Sequence, residues 1–520
     1  MTAYQWFVFI LFVQVIHFLG TWKLYEAAGR KRWVAAIPVY NCIVLMKIIG
    51  RPTWWTVLLF IPIINLIMFP VIWVETLRSF GKKSTLDSIL GIVTFGLYIY
   101  YINYTQPLNY IADRSSNRAN KATDTLSSLL FAIIVATLVH TYIVQPFTIP
   151  TSSLEKSLLV GDFLFVSKLN YGPRVPMTTI ALPMVHDSIP FTKRKSYLSW
   201  PQLPYFRLPA FEKIKHSDIV VFNWPADTVY QFFDRSGRKA VIKPIDKKSN
   251  YVKRCVGIPG DSLSIKDGIV YINGKVLVLP ERAKPQYSYK IALDGKTPID
   301  FEYLFNDMHV TDGAGFTSDK RDTLFVGALT DASVQRLRNV PGILSVTREI
   351  SKGVEDGIFP HINQWNRDNY GPIYIPEEGK SVAINFMTLP FYSRIITEYE
   401  KNKLEIKGSD IYINGEKTKN YTFKQNYYWM MGDNRHRSED SRYWGYVPAD
   451  HIVGKPVFIW MSWDTNGKGL GKIRWERLFT TVGGDGQPQS YFKIFMFLLV
   501  AFFVGEYFWN KRKAKTNNTI

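Results

Sequence analysis

The sequence predicts a mainly β soluble domain that carries an inserted segment of mixed helix and strand and is anchored by several transmembrane α-helices. Three observations lead to this fold class. Residues 1–147 are dominated by apolar runs, whereas residues 148–490 have the composition of a soluble chain. The soluble part consists largely of short β-rich runs bounded by Gly, Pro and Asp. One such run occurs twice, because residues 263–275 and 404–416 align without gaps.

The apolar runs predict the membrane spans. The strongest is Leu126–Val144, nineteen residues without a formal charge, about the length that crosses roughly 30 Å of hydrocarbon. Val34–Gly50 is interrupted by Pro38 and Lys47, which favours an interfacial or broken helix. The further predicted spans are Ala3–Trp22, Trp54–Val74, Leu86–Tyr104 and Tyr491–Trp509. A surface helix is the alternative for Tyr491–Trp509.

The net charge is +20, and basic residues flank the apolar runs at Arg30–Arg32, Arg114–Lys121 and Lys511–Lys515. That placement is typical of cytoplasmic flanks and of attraction to anionic lipid. We therefore predict the lipid bilayer as a partner and no nucleic acid, because no nucleic-acid-binding motif accompanies the charge. The flank Arg114–Lys121 places the residues from Gln145 onward outside the cytoplasm. The remaining N-terminal loops are all basic, which leaves their topology open.

The chain is predicted to divide into five regions. Residues 1–110 form a multi-span membrane region, and residues 111–147 form a cytoplasmic linker with the main anchor. Residues 148–279 and 401–490 form the β domain around an insertion at 280–400, and residues 491–520 form a C-terminal span with a basic cytoplasmic tail. The Asn273-Gly274 pair predicts a two-residue hairpin turn. Residues 173–215, rich in Pro and aromatics, either dip into the lipid headgroups or, as we prefer, form an extended loop.

Five hydroxyl residues in QPFTIPTSSLEKS (145–157) raise the possibility of a serine nucleophile, which needs a base. His436 with Asp440 is one candidate base, but no G-x-S-x-G elbow accompanies it. A neutral lysine is the other, and Lys253 lies among apolar residues on a predicted strand. Burial would lower its pKa. By pattern alone, a solvated Lys253 is equally consistent.

The S-x-x-K pattern and the cysteine and histidine spacings give no further site. Ser153 and Lys156 fit the S-x-x-K pattern of penicillin-recognising enzymes, but the sequence lacks the K-T-G and S-D-N elements that accompany it. No C-x-x-C or H-E-x-x-H spacing is present, so we predict no metal site. Cys42 and Cys255 lie in different regions, which makes a disulfide between them unlikely to form.

Four boxes occur in order and resemble those of the bacterial type I signal peptidases (leader peptidases), which are Ser/Lys proteases: IPTSSLEKSLLVGDFLFVSKLNYG, DIVVFNWP, YVKRCVGIPGD and GDNRHRSEDSRYWGYVP. The resemblance covers roughly residues 126–165, 217–275 and 404–461. It implies a signal-peptidase-like fold of antiparallel sheets, no cofactor, and signal peptides of secretory pre-proteins as substrates. Together with the predicted spans, it implies a multi-pass protein of the bacterial cytoplasmic membrane with its catalytic domain on the periplasmic side.

The resemblance assigns roles residue by residue. Ser153 would be the nucleophile and Lys253 its general base, the Ser153 N–H and the Thr151 hydroxyl would form the oxyanion hole, and Ser438 would orient the lysine. The structural positions near the site fall on Arg254, Asp433, Asp440 and Arg442. The substrate-binding positions fall on Phe147, Thr148, Ile149, Pro150, Leu154 and Val252. This chain departs from the family at Leu154, where methionine is frequent, and at His436-Arg437, where Asp-Asn is common.

Three other protein classes were compared with this sequence. A non-enzymatic envelope scaffold could use the same spans and β domain. A self-cleaving Ser/Lys regulator would need a DNA-binding segment, but the N-terminal region is apolar. Lipoprotein-type peptidases use paired aspartates inside spans, and only Asp87 lies near the start of a span here.

Overall fold

The computed structural model describes residues 2–112, 121–192, 194–229, 240–308, 310, 312–317, 319–362, 364–484 and 486–517. The chain divides into two compact units. The first comprises residues 1–143, 173–208 and 227–249, and the second comprises residues 144–172, 209–226 and 250–520. Of the predicted basic flank Arg114–Lys121, residues 114–120 lie outside the described residues.

The first unit is helical. Its α-helices are α1 (Ala3–Ala27), α2 (Tyr40–Ile48), α3 (Trp55–Leu58), α4 (Ile64–Ser79), α5 (Thr85–Val93), α6 (Tyr98–Thr105) and α7 (Lys121–Leu138). Helix α1 begins with a capping box in which the Thr2 and Gln5 side chains each accept a hydrogen bond from the other residue's backbone N–H. Buried apolar side chains from several of these helices, among them Tyr25, Met46 and Ile64, form one core.

The described part of the chain contains fewer candidate membrane spans than the sequence predicts. Two helical stretches, Tyr4–Ala27 and Phe492–Lys511, are long and apolar enough to cross a bilayer, or three if α5 and α6 count as one span. Those two helices meet at an angle of 118°. The predicted span Leu126–Val144 lies in the helical stretch that begins with α7 at Lys121 and continues to Ile143, and a strand begins at Val144.

Backbone breaks interrupt two of the predicted internal spans. Within Trp54–Val74, Ile63 adopts a φ of 71°, so α3 is only one turn long and α4 starts anew at Ile64. Within Leu86–Tyr104, Phe95 and Gly96 both have positive φ and separate α5 from α6. A positive φ cannot continue a right-handed helix, and an apolar run alone gives no indication of where such a break occurs.

The second unit is mainly β. Its strands are β1 (Val144–Thr148), β2 (Asp162–Ser167), β3 (Ile219–Asn223), β4 (Asn250–Gly257), β5 (Ser262–Lys266), β6 (Ile269–Ile272), β7 (Lys275–Val276), β8 (Tyr287–Leu293), β9 (Ala314–Phe316), β10 (Thr323–Leu329), β11 (Ile343–Arg348), β12 (Tyr370–Tyr374), β13 (Ser381–Ala383), β14 (Leu404–Lys407), β15 (Asp410–Ile413), β16 (Glu416–Lys417), β17 (Asn420–Thr422), β18 (Tyr427–Met431), β19 (Val447–Pro448), β20 (Ile452–Ser462) and β21 (Thr480–Thr481). Its helices are α8 (Asp331–Leu337), α9 (Leu389–Arg394), α10 (Ser441–Trp444) and α11 (Phe492–Asn517).

The largest sheet has eight strands in the order β1-β2-β20-β3-β4-β18-β19, with β21 paired to β20. The strand pairs within the sheets are antiparallel, as the sequence predicts. Strand β4 lies inside this sheet and places Lys253 opposite Val220 of β3. Strand β1 lies at the end of the order, so one of its edges has no partner strand among the described residues.

The repeated hairpins and the insertion are also present. Asn273-Gly274 joins β6 to β7 and Asn414-Gly415 joins β15 to β16, and all four residues have positive φ. Positive φ at both central positions defines the type I′ turn that an Asn-Gly pair predicts. Between the hairpins, β8 to β11 form a four-stranded sheet with α8 beside β11. Residues 280–400 therefore contain both helix and strand.

Candidate active site

Ser153 lies in a short 3-10 helix, Ser152–Leu154, that follows the edge strand β1. The backbone N–H of Glu155 donates to the Ser152 carbonyl and closes this turn. Leu154 is buried with Leu158 in an apolar cluster of the sheet. Because these leucines hold the turn against the core, Ser153 occupies a fixed position and is itself buried, 8% exposed.

Lys253 reaches the same point from β4. Its Nζ lies 2.6 Å from the Ser153 Oγ, and the residue is only 3% exposed. Burial lowers the pKa of its ammonium to about 8, and the nearby Asp440 and Glu439 carboxylates limit that fall. The Tyr251 ring lies 5.4 Å from Nζ, on the face that strand alternation assigns to both residues. Of the two alternatives left open for Lys253, the structure favours the buried one.

Two buried ion pairs surround the Ser153–Lys253 contact. Arg254 donates to both carboxylate oxygens of Asp433, over 2.7 and 2.6 Å. Arg442 likewise donates to both oxygens of Asp440, over 2.8 Å each. Burial alone would raise the pKa of Asp433 and of Asp440, but each arginine holds its partner's pKa below the ordinary value. The four predicted structural positions therefore form two bidentate pairs, the strongest form of carboxylate–guanidinium contact.

The other two predicted polar residues lie near the turn, and within the described residues neither forms a hydrogen bond with Lys253. Thr151 immediately precedes the 3-10 helix and is exposed. Ser438 is buried, and its Oγ has no hydrogen-bond partner within the described residues. A side chain at Gly432 would meet Ser438 Oγ at 2.2 Å and the Ser153 carbonyl at 2.5 Å. Only glycine is small enough at position 432 to let Ser438 approach the turn Ser152–Leu154, which we call the nucleophile turn after the proposed role of Ser153.

The predicted substrate-binding residues lie along β1 and beside it. Phe147 and Val252 are partly buried against the cluster that contains Ile149 and Leu154. Thr148 ends β1, and Pro150 follows it with an exposed ring. The unpaired edge of β1 offers backbone N–H and C=O groups to an added strand.

Three residues that contact this site were not predicted from the sequence. Ser157 donates from its Oγ to Asp433 over 2.5 Å. Asn434 donates from its backbone N–H to the Ser153 carbonyl over 3.0 Å and from its Nδ2 to the Ser152 carbonyl over 3.2 Å. Asp312, from the insertion, accepts from Ser152 Oγ over 2.8 Å. Asn434 stands inside a recognised box, which was a usable signal, whereas no motif marks Asp312.

The alternative bases have other contacts. His436 accepts from the Ser288 backbone N–H at Nδ1 over 3.1 Å, and its Nε2 lies 2.9 Å from an Asp368 oxygen. His436 therefore pairs with Asp368, whereas Asp440, the partner that the sequence suggested for it, accepts from Arg442 with both carboxylate oxygens. The Lys156 Nζ lies 3.5 Å from the Met308 carbonyl. The S-x-x-K pattern therefore does not produce the contact with Ser153 that Lys253 makes.

The chemistry available here is that of a hydroxyl next to an amine whose pKa is lowered by burial. A lysine in that state can accept a proton near neutral pH, which an exposed lysine cannot. Among the described residues, no group of three or more His, Cys, Asp and Glu side chains is arranged to hold a metal ion. The arrangement suits nucleophilic attack by Ser153 with Lys253 as the proton acceptor.

Comparison with known proteins gives a consistent result. The family described as "Signal peptidase, peptidase S26" matches residues 122–323 and 378–463. Signal peptidase I of Haemophilus influenzae is 26% identical over 383 residues, which cover 70% of this chain and 76% of that protein. Signal peptidase I of Helicobacter pylori is 24% identical, covering 69% of this chain and 92% of that protein. A family of unknown function, DUF5684, matches residues 33–113.

The signal peptidase match spans more than half of the chain and includes the turn with Ser153, strand β4 with Lys253, and the box from Gly432 to Arg442. Signal peptidase I of Buchnera aphidicola subsp. Baizongia pistaciae adds a further relative, 23% identical over 68% of this chain and 82% of that protein. The chain belongs to the signal peptidase family, peptidase S26, and is a serine endopeptidase of the type I signal peptidase kind.

Proposed function

We propose that this protein is a membrane-bound signal peptidase that cleaves N-terminal signal peptides from exported pre-proteins with a Ser153/Lys253 dyad. The single observation that carries the proposal is the 2.6 Å contact between Lys253 Nζ and Ser153 Oγ. A buried lysine is costly unless it has a partner or a task. Here it has the one hydroxyl that the family boxes assign as the nucleophile.

The reaction runs through an acyl-enzyme. Neutral Lys253 takes the Ser153 proton as Oγ bonds to the scissile carbonyl carbon, and the Ser153 N–H and Thr151 hydroxyl stabilise the oxyanion. Lys253 then gives its proton to the leaving amine, and the peptide C–N bond breaks. A water molecule attacks the ester, its proton passes to Lys253, and the signal peptide leaves with a free carboxylate. Ser153 recovers its proton from Lys253.

The surroundings keep Lys253 usable as a base. Since its pKa is about 8, about a tenth of the enzyme carries a neutral lysine at pH 7. The Asp440 and Glu439 carboxylates oppose a larger fall in the lysine pKa, but Asp440 is itself neutralised by Arg442. The pair with Arg442 therefore limits how strongly Asp440 can hold the lysine in its charged form.

The substrate binds by strand addition to the free edge of β1. The cleavage-site segment runs beside Phe147, Thr148, Ile149 and Pro150, and its side chains alternate toward and away from the protein. Side chains that point inward meet the surface formed by Phe147, Ile149, Leu154 and Val252. That surface is already packed, so small residues fit best, in line with the Ala-x-Ala preference that the family resemblance implies.

The protein lies in the bacterial cytoplasmic membrane as a multi-pass protein with Ser153 on the periplasmic side. Within the first unit, Trp6 Nε1 donates to the Gln202 carbonyl over 3.0 Å. Residues 173–208 follow the nucleophile turn in sequence without an intervening span, so they share its side of the membrane. The start of α1 then also lies outside, and Arg30–Arg32 beyond its end lie in the cytoplasm, as the positive-inside rule requires.

The test is cleavage of a purified pre-protein by single variants in detergent. Ser153→Ala and Lys253→Ala are expected to abolish cleavage, whereas Ser262→Ala and Lys266→Ala, exposed controls on β5, keep wild-type rates. Normal processing by Ser153→Ala would indicate an envelope scaffold instead. A reporter fused to the N-terminus tests the orientation: a periplasmic reporter supports the assignment, and a cytoplasmic one contradicts it.

A further inference from the structure

The insertion reaches the nucleophile turn with one carboxylate. Asp312 accepts a hydrogen bond from Ser152 Oγ at Oδ1, over 2.8 Å, and one from Asn434 Nδ2 at Oδ2, over 2.6 Å. Ser152 precedes the proposed nucleophile, and Asn434 belongs to the box that contacts it. Asp312 therefore joins the two segments that flank Ser153, although it lies in a part of the chain outside the recognised boxes.

Asn434 controls the backbone around Ser153. Its N–H donates to the Ser153 carbonyl over 3.0 Å, and its Nδ2 donates to the Ser152 carbonyl over 3.2 Å. Because a trans peptide is planar, its C=O and N–H point in opposite directions. Fixing the Ser152 carbonyl toward Asn434 therefore fixes the Ser153 N–H away from it. That N–H is the proposed oxyanion donor.

The Asn434 amide needs a group that sets its orientation. Its Oδ1 has no hydrogen-bond partner within the described part of the chain. Its two N–H groups go to Asp312 and to the Ser152 carbonyl. Rotation of the amide by 180° would turn Oδ1 toward the Asp312 carboxylate, two acceptors facing each other, and would withdraw a donor from Ser152. Asp312 thus selects the orientation that aims the Ser153 N–H.

We propose that Asp312 is a positioning residue of the insertion that sets the Ser153 oxyanion donor through the Asn434 side chain. This inference rests on the proposed function of Ser153. The rest of the insertion supports the contact, because Gln286 and Ser288 at the start of β8 bond the same box at Asp433, Arg435 and His436. The insertion therefore contacts the box at the start of β8 as well as at Asp312.

The test uses the full-length protein in detergent with a purified pre-protein. Asp312→Ala is expected to lower kcat about 10- to 100-fold with KM unchanged, somewhat less than the 10²–10³ that follows outright loss of an oxyanion donor. Asp312→Asn is the conservative variant: its Oδ1 accepts from Asn434 and its Nδ2 donates to the Ser152 hydroxyl. It should restore kcat to within about threefold of wild type. Asp319→Ala, an exposed aspartate of the insertion, is the matched control.

A double variant separates positioning from general stability. If Asp312 acts through Asn434, adding Asp312→Ala to Asn434→Ala lowers kcat no further. Additive losses overturn the proposal, as do an unchanged kcat in Asp312→Ala, a rise in KM alone, or a loss that matches a smaller folded fraction by circular dichroism. The proposal is also overturned if Asp312→Asn lowers kcat as much as Asp312→Ala does.

The proposed function and this inference fail in different ways. Cleavage by Ser153→Ala would show that Ser153 is not the nucleophile, and both would fall. An inactive Ser153→Ala together with a wild-type kcat in Asp312→Ala leaves the dyad intact and removes only the role of Asp312.

Discussion

Two regions each bring a lysine toward Ser153, and only one of them makes contact. The turn after β1 carries Lys156, three residues from Ser153, with its Nζ 3.5 Å from the Met308 carbonyl. Strand β4 carries Lys253, which is distant in sequence but 2.6 Å from Ser153 Oγ. Lys156 lies in a turn with a positive φ of 69°, whereas β4 is held between two strands.

In the proposed mechanism, sheet register rather than nearness in sequence supplies the base. The backbone of β4 is fixed by its pairing with β3 and β18. A side chain on such a strand has one direction to point, and burial on that side lowers the pKa of Lys253. Burial lowers the pKa of the Lys156 ammonium as well, but no strand pairing directs its side chain at Ser153, and its Nζ lies beside the Met308 carbonyl. Four experiments test this contrast.

The largest effect is expected from Lys253→Arg. Arginine keeps the positive charge but does not lose its proton in proteins, so it cannot act as the base. We expect kcat to fall by about 10²–10⁴-fold, measured by pre-protein cleavage in detergent. Lys266→Arg is the control. More than a tenth of wild-type activity in Lys253→Arg would mean that positive charge at β4, rather than a neutral amine, is what matters.

Asp433→Ala removes the link between the two regions, because Asp433 bonds Arg254 of β4 and Ser157 of the turn. The buried Arg254 guanidinium would lose its carboxylate, which typically costs about 3–5 kcal/mol in the free energy of unfolding. Urea unfolding in detergent measures the change. The control is Glu349→Ala, which breaks a surface pair with Lys290 and should cost about 0–1 kcal/mol. Equal costs would contradict the prediction.

The pH dependence of kcat/KM tests the state of Lys253. Below its pKa of about 8 the amine is protonated and has no lone pair to accept a proton. Activity is therefore expected to rise with pH, by about tenfold per unit well below the pKa, and to level off above about pH 8. Initial rates at low pre-protein concentration give this profile. A midpoint near 6.5, the ordinary value of histidine, would contradict it.

The smallest effect is expected from Lys156→Ala. Since its Nζ contacts a carbonyl of the insertion rather than Ser153, kcat should change no more than about twofold, far from the 10²–10⁴ that a lost general base costs. The same cleavage assay measures it. An inactive Lys156→Ala beside an active Lys253→Ala would reverse the comparison and restore the S-x-x-K reading.

The sequence predicted the β domain, the hairpins and the Ser153–Lys253 pair because each has a local pattern or belongs to a box. The breaks at Ile63 and Phe95 were missed because the spans were predicted from apolar composition, although Pro62 precedes the first break and Gly96 follows the second. Asp312 was missed for a different reason: its contacts join segments that are far apart in sequence, and a lone aspartate in an insertion has no motif.

The contacts around Ser153 span long stretches of chain. Lys253 lies 100 residues from Ser153, Asp312 lies 160 from Ser152, and Asp433 lies 276 from Ser157. Contacts of such separation form late in folding, because each requires a long loop to close. The nucleophile turn is thus synthesised well before the residues that contact it. In the proposed mechanism, synthesis must pass Arg442 before the catalytic residues can assemble, so we expect a nascent copy of this enzyme to be inactive while its N-terminal helices are being synthesised.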